Sequence, residues 1–556
     1  MATVGGSSGS IGSGSGTNKS RTTGTERVTT TSIRRLLTAL LPSFITESAC
    51  VSSNANPGEQ RRRRQQKLHA TSSTAYLDGL RGLAACSVFA YHYTDYNHKF
   101  FLPLYGYNTE QNVASSSFMQ LPYVRLLYSG TPMVHVFFVI SGFALSLRPL
   151  GHLYPQDCTG NGDAIRAAGQ AKAQALVASS AFRRPIRLCI PPLGATALAA
   201  FVVFVFGWMP TFMKPEETLW AQISDWAIDA VYRVMWPWNW DEGSPHSRYN
   251  PHLWTIPMEF VHSMFLFLVL LVLSRLRGPG TRLLVSGTLM AYTLLIGRWA
   301  AFEFLGGAFL AELHLGTHSE ATNLDMRLPG GLDGALKTGR CKKSSSRTLK
   351  KALQITVLLA AGYILSWPPR KVDMTPTFNW ILELAPRSYG GGEKGKNFWL
   401  AVAAFGTVWA VGRIQFVKNW VLMSSFAQYA GKISFCFYIF QHLILNLMQA
   451  HVLGREHKPA TETREEEIGW GVRSVFGVSS TLQRTVTWWV GLLIMGMALV
   501  CLADFGTRFL DAPAVRLAKR VEALAFGVSL PEHQQIPLQD IGHRGEGHGG
   551  NERVEK

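Results

Sequence analysis

Apolar residues in this chain gather into long blocks separated by short polar segments, from about residue 77 to residue 505. The blocks lie at 77–94, 131–149, about 185–208, a run opening near His252 (LWTIPMEFVHSMFLFLVLLVL), 282–298, 299–315, 352–367, 397–413, 431–453 and 485–505. Each approaches the roughly 20 residues a helix needs to cross a bilayer. The expected fold is an all-α integral membrane protein, a bundle of about ten transmembrane helices.

Lys and Arg concentrate in the segments 150–185, 275–282 and 316–351, which the positive-inside rule assigns to the cytosol. The acidic stretch 456–467 then falls on the far side, and the N- and C-termini are both cytosolic. Residues 1–75 are Gly/Ser/Thr-rich and then basic, with RRRR at 61–64, and read as a disordered tail. Within that tail, 33–45 has the pattern of a short helix lying on a membrane, limited by Pro42. No apolar block opens the chain, so no cleavable signal peptide is expected. Residues 76–510 form the membrane domain and 511–556 a cytosolic, disordered C-terminal tail.

Composition adds to this picture at three points. Over 556 residues, 47% are hydrophobic and only 16% charged, which suits a lipid bilayer better than several soluble domains. The formal charge of +18 would suit a nucleic-acid binder, but the basic residues flank the apolar blocks, so no nucleic-acid partner is expected. The seven cysteines show no CxxC spacing, which argues against both a metal site and a disulfide framework.

The candidate chemistry is carried by polar residues inside the apolar blocks, where they are costly and suggest function. Asp78, Arg81 and His92 lie in the first block, whose head, Asp78–Gly82, reads as charged and flexible. As a helix it puts Arg81 and His92 on one face, roughly 16 Å apart, with only Ala84, Ala85 and Val88 between them. An arginine snorkelling to the interface and a satisfied bundle histidine would explain the same pattern. Ser141 sits in a Ser-Gly-Phe notch that permits close helix contact. His135 opens that block and would equally suit an interfacial place. Arg183, Arg184 and Arg187 gather before the third block. Topology alone accounts for them, but Arg184 and Arg187, three apart, can also share a phosphate. Glu259 must face the interior, either as a buried acid or as one half of a Glu–Arg tie between helices. Glu303 and Glu312 read as helix-pairing or interfacial groups. His442 has Tyr438 one turn before and Asn446 one turn after, a polar line that marks an inward face.

In order along the chain, DGLRG with His92 eleven residues after Arg81, FFVISGFALS, RRPIRLCIPP, LWTIPMEF and GKISFCFYIFQH together resemble the acyltransferase-3 family of integral membrane O-acyltransferases. The likeness covers 76–505; the long N-terminal tail, the enlarged 316–351 segment and the lack of an appended SGNH-type domain depart from it. It implies transfer of an acyl group from acyl-CoA, acetyl-CoA foremost, to a hydroxyl of a sugar, lipid or other small acceptor, with no metal. It implies that His92 and Arg81 are the functional pair and that Arg184 and Arg187 contact acyl-CoA. Glu259 joins the catalytic candidates, and Asp78, Ser141 and His442 are further ones. Histidine is the usual base for a hydroxyl and arginine can steady a developing oxyanion, so direct transfer is the preferred mechanism, with an acyl-His92 intermediate second. A multi-pass transporter using His92, Glu259 and His442 is the competing class; it has no need of a cytosolic arginine cluster.

Overall fold

The computed structural model describes residues 42–43, 74–106, 116–154, 162–207, 215–236, 246–327, 340–369, 376–454 and 471–527. The Arg run at 61–64, the acidic stretch 456–467 and most of the expected interfacial helix at 33–45 lie outside them. Among the described residues every regular element is helical. The principal helices are α1 (Ala75–Asn97), α2 (Gly130–Gly151), α3 (Gly162–Phe206), α4 (Leu219–Asp229), α5 (Thr255–Arg275) and α6 (Pro279–Leu295). They continue with α7 (Trp299–Arg327), α8 (Arg340–Leu365), α9 (Lys396–Val411), α10 (Ser425–Leu453), α11 (Thr481–Gly506) and α12 (Ala512–Phe526).

Among the described residues, five stretches are long and apolar enough to cross a membrane: Gly130–Gly151, Gly162–Phe206, Pro251–Arg275, Thr348–Leu365 and Thr481–Phe526. Helices α1, α7 and α10 are not among them. Both ends of α10 follow local chemistry. Ser424 caps the start by accepting from the Ala427 N–H, and Gly454 at φ 78° leaves the helix at its end.

Several helices extend past the expected boundaries. The basic segment 150–185 reads as a loop between two apolar blocks, yet α3 begins at Gly162 and runs for 45 residues. Its first turns, rich in Ala and Gln, hold helix by propensity without apolar periodicity. Likewise 316–327 and 340–351 are helical continuations of α7 and α8 within the expected polar loop. The C-terminal tail was expected to be disordered from Asp511, but Ala512–Phe526 is helical. Arg183 Nε lies 3.1 Å from Glu522 Oε2, and the Phe182 and Phe526 rings meet at 5.2 Å, so α12 packs on α3.

Two close crossings organise the bundle. α1 and α10 run in the same direction: Arg81 meets Ser434 near their starts, and Tyr96 meets His442 toward their ends. The Asp78–Gly82 head is rigid rather than flexible, because its glycines are where the two backbones touch. A Cβ on Gly82 would lie 2.4 Å from the Gly431 nitrogen, and one on Gly431 would lie 2.2 Å from the Asp78 carbonyl oxygen. Only glycine permits that approach. The notch at Ser141–Phe143 does the same for α2 and α7, with Gly142 against the Phe304 backbone. His135 and Glu303 join these two helices by a buried 2.5 Å contact, and Arg282 and Glu312 join α6 to α7 at 2.6 Å.

Candidate functional site

His92 projects from the last third of α1 onto a second histidine. Its ring stacks on His252, with centroids 3.6 Å apart and planes at 20°. His442 of α10 meets His252 edge-on, 5.0 Å between centroids at 81°. A cavity of about 480 Å³ opens beside this group, lined by His92, His252, Tyr91, Tyr96, Trp254 and Arg248 among others.

The chain before α5 is folded to hold His252 there. Asn250 caps the short 3₁₀ turn Pro251–Trp254: its side chain accepts from the His252 N–H at 3.2 Å and donates to the Ile439 carbonyl of α10 at 2.7 Å. The Tyr438 hydroxyl donates to the His252 carbonyl and bonds Thr255 Oγ1 at 2.8 Å. Upstream, the buried Asp229 carboxylate of α4 accepts from Ser247 Oγ at 2.5 Å and from the Arg248 N–H at 3.1 Å. Arg248 also pairs with Asp225, which accepts from the Tyr249 hydroxyl at 2.8 Å. From Ser247 to Thr255 the described part of this loop is tied to α4 and α10, so this cavity wall is preorganised. His252 is itself buried, and its Nδ1 has no hydrogen-bond partner among the described residues.

A second cluster sits deeper. Arg184 Nη2 of α3 lies 2.6 Å from Glu259 Oε1, and Ser141 Oγ of α2 donates to the same oxygen at 3.2 Å. These three candidates tie α2, α3 and α5 together, so the Glu–Arg tie is realised. Arg187, one turn along α3, is exposed. At the head of α1, Arg81 donates to Ser434 Oγ and to the Gly431 carbonyl, both at 3.0 Å, and lies 3.4 Å from Asp78.

The candidates therefore separate into three levels. His92 and His442 come together through His252; Ser141, Arg184 and Glu259 form one cluster; Arg81 and Asp78 form another. Arg81 and His92 do not meet, since three helical turns, roughly 16 Å, lie between them.

Sequence reasoning missed His252, which lies at the edge of an apolar block rather than within one. The Asn250-Pro251 pair immediately before it is a turn signal that could have drawn attention to it. No group of three or more His, Cys, Asp or Glu able to hold a metal ion occurs among the described residues.

Comparison with known proteins bears on this arrangement. A family model described as an acyltransferase domain matches residues 74–505. The chain is 27% identical over 495 residues to the O-acetyltransferase PaAT-1 of Phomopsis amygdali, covering 83% of this chain and 86% of that protein. It is 24% identical over 411 residues to acyltransferase clz18 of Cochliobolus lunatus, covering 66% and 81%. Acyltransferase R4 of Phoma sp. (strain ATCC 20986 / MF5453) is 25% identical over 418 residues, covering 66% and 82%. No solved structure matches the chain.

Proposed function

The chain belongs to the acyltransferase domain family and is an enzyme that transfers acyl groups, and from that premise we propose that it is a membrane O-acyltransferase moving an acetyl group from acetyl-CoA to a hydroxyl of a small acceptor. The observation that carries this reading is the His92–His252 stack at the wall of a 480 Å³ cavity, with Arg187 exposed on α3 to meet a donor phosphate. A cavity of that size takes a small-molecule alcohol.

In this reading Arg187 receives a CoA phosphate at the cytosolic end, and Arg184, oriented by Glu259 and Ser141, stands behind it. Glu259 acts as a positioning residue through Arg184. Arg81, held by Ser434 and Gly431, shapes the donor end. His92 takes the proton of the acceptor hydroxyl as its oxygen adds to the thioester carbon. Collapse of the tetrahedral intermediate breaks the carbon–sulfur bond, and the thiolate recovers the proton from the His92 imidazolium. Ten helices cross the bilayer with both termini in the cytosol, so α1 and α10 are spans despite their polar content. The arginines then face the cytosol and the cavity faces the opposite side.

The test is to incubate membranes containing the protein with labelled acetyl-CoA and a panel of alcohols, and to identify the labelled product. An O-acetylated alcohol that requires His92 is the expected result. Absence of transfer to every alcohol by well-folded protein would overturn the assignment.

A further inference from the structure

Acyl transfer needs a hydrogen-bond donor aimed at the oxygen that becomes negative when the hydroxyl adds to the thioester. Arg81 does not occupy that place: its guanidinium is engaged with Ser434 and Gly431, three turns from His92. A different group has the required properties. Gln441 of α10 is 0% exposed, and neither its Oε1 nor its Nε2 has a hydrogen-bond partner among the described residues. Folded interiors rarely leave a carboxamide wholly unsatisfied, because burying it without partners is destabilising. A ligand atom can complete the bonding of such a group.

The helix geometry fixes where Gln441 lies. It follows Ser434 by seven residues, two turns, and so shares the face that Ser434 and Phe437 present to α1, where they meet Arg81 and Phe89. Its chain neighbour His442 sets its level along α10, since the His442 ring meets His252, which stacks on His92. Gln441 is therefore at the height of the histidine stack, on the side of α10 turned toward α1.

We propose that the Gln441 carboxamide is the oxyanion-stabilising donor of acyl transfer. This rests on the acyltransferase reading above and adds a catalytic residue to it. As the acceptor oxygen bonds to the carbonyl carbon, its proton passes to His92 and the carbonyl π pair moves onto oxygen. The Gln441 Nε2–H donates to that oxygen and keeps its own proton. When the carbonyl re-forms, the carbon–sulfur bond breaks and the thiolate takes the proton from His92.

The test compares kcat, KM and thermal unfolding of detergent-purified wild type, Gln441→Met and His92→Ala. Methionine matches the volume and removes both polar atoms. The expected result is a kcat lowered about 10²–10³-fold, the usual effect of losing one oxyanion donor. The KM for acetyl-CoA should be unchanged and the unfolding temperature equal to or above that of wild type, since an unsatisfied buried amide has been removed. Gln441→Glu, which replaces the donor by an acceptor, should be at least as slow. Wild-type kcat in Gln441→Met alongside an inactive His92→Ala would overturn this inference alone. A raised KM with unchanged kcat, or a loss only in proportion to folded protein, would overturn it equally. Failure of the wild type itself to transfer would overturn the acyltransferase reading and this inference with it.

Discussion

His92 and His252 come from different elements, yet their rings lie face to face with centroids 3.6 Å apart. This contact gives His92 a fixed orientation at the cavity wall. His92→Ala should leave folded protein and CoA binding intact and lower turnover about 10²–10⁴-fold, the range for loss of a general base. His252→Phe keeps a stacking ring and should lower turnover less. Turnover per folded molecule decides the matter: if His92→Ala loses activity only as it loses folded protein, the base assignment fails.

Arg187 and Arg184 should separate cleanly. Arg187 is exposed, so Arg187→Ala should raise the KM for acetyl-CoA about 10- to 100-fold, as expected for one charge-assisted contact, without affecting folding. Arg184→Ala strips Glu259 of its cationic partner and leaves only Ser141, and a lost buried pair costs about 3–5 kcal/mol, here toward the low end because the two side chains are 12% and 22% exposed. Adding Glu259→Gln to Arg184→Ala should restore part of that loss in thermal unfolding. No recovery would mean the pair is not the stabilising element.

The contact at Gly82 makes a sharp stability test. Gly82→Ala places a Cβ 2.4 Å from the Gly431 nitrogen and must push α1 off α10, whereas Gly280→Ala meets nothing within 4 Å. The first should destabilise by about 1–3 kcal/mol, typical of overpacking. The second should be neutral or stabilising. Equal unfolding temperatures for the two would contradict the close crossing.

His98, just past α1, offers a pH test. Burial, with the positive charges of Arg473 and Arg484, holds its imidazole down to about 3, and its Nε2 is 2.9 Å from the Tyr93 hydroxyl. The folded protein keeps it neutral, while the unfolded chain protonates it near pH 6.5. Its contribution to stability is therefore fully present above about pH 6.5 and is lost as pH falls from there toward 3. His98→Asn should show a smaller drop in unfolding temperature than wild type between neutral pH and the acid end of that window.

Topology can be checked by labelling. A cysteine at Thr463 should react with an impermeant thiol reagent only from the non-cytosolic side, and one at Ser345 only from the cytosol. Reaction of both from one side would break the proposed ten-span arrangement.

The helical, membrane-embedded class was legible in the apolar blocks, and the inward face of α10 in the spacing of Tyr438, His442 and Asn446. The helix ends were less so, because the Ala-rich start of α3 and the charged ends of α7 and α8 are helical by propensity and carry no apolar period. Charge pointed to Arg184 and to a tie between Glu259 and some arginine of another helix, but not to Arg184 as that partner, which depends on how α3 packs on α5. His252 and Gln441 escaped notice for different reasons. The first lies at a turn, where a histidine is unremarked, and the second is an uncharged amide whose lack of partners exists only in three dimensions.

The α1–α10 crossing also bears on how the molecule is made. Arg81 and Ser434 are separated by 353 positions in the chain. In ribosomal order, α1 is made with Arg81 and two bare glycine surfaces long before the helix that covers them has been synthesised. Contacts so distant in sequence form late and slowly, and half-built membrane chains with uncovered polar groups are vulnerable to misassembly. Biogenesis of this enzyme must therefore shelter its first helix until the tenth arrives. A chain terminated before Ser425 should be captured by membrane quality control rather than persist as a stable fragment.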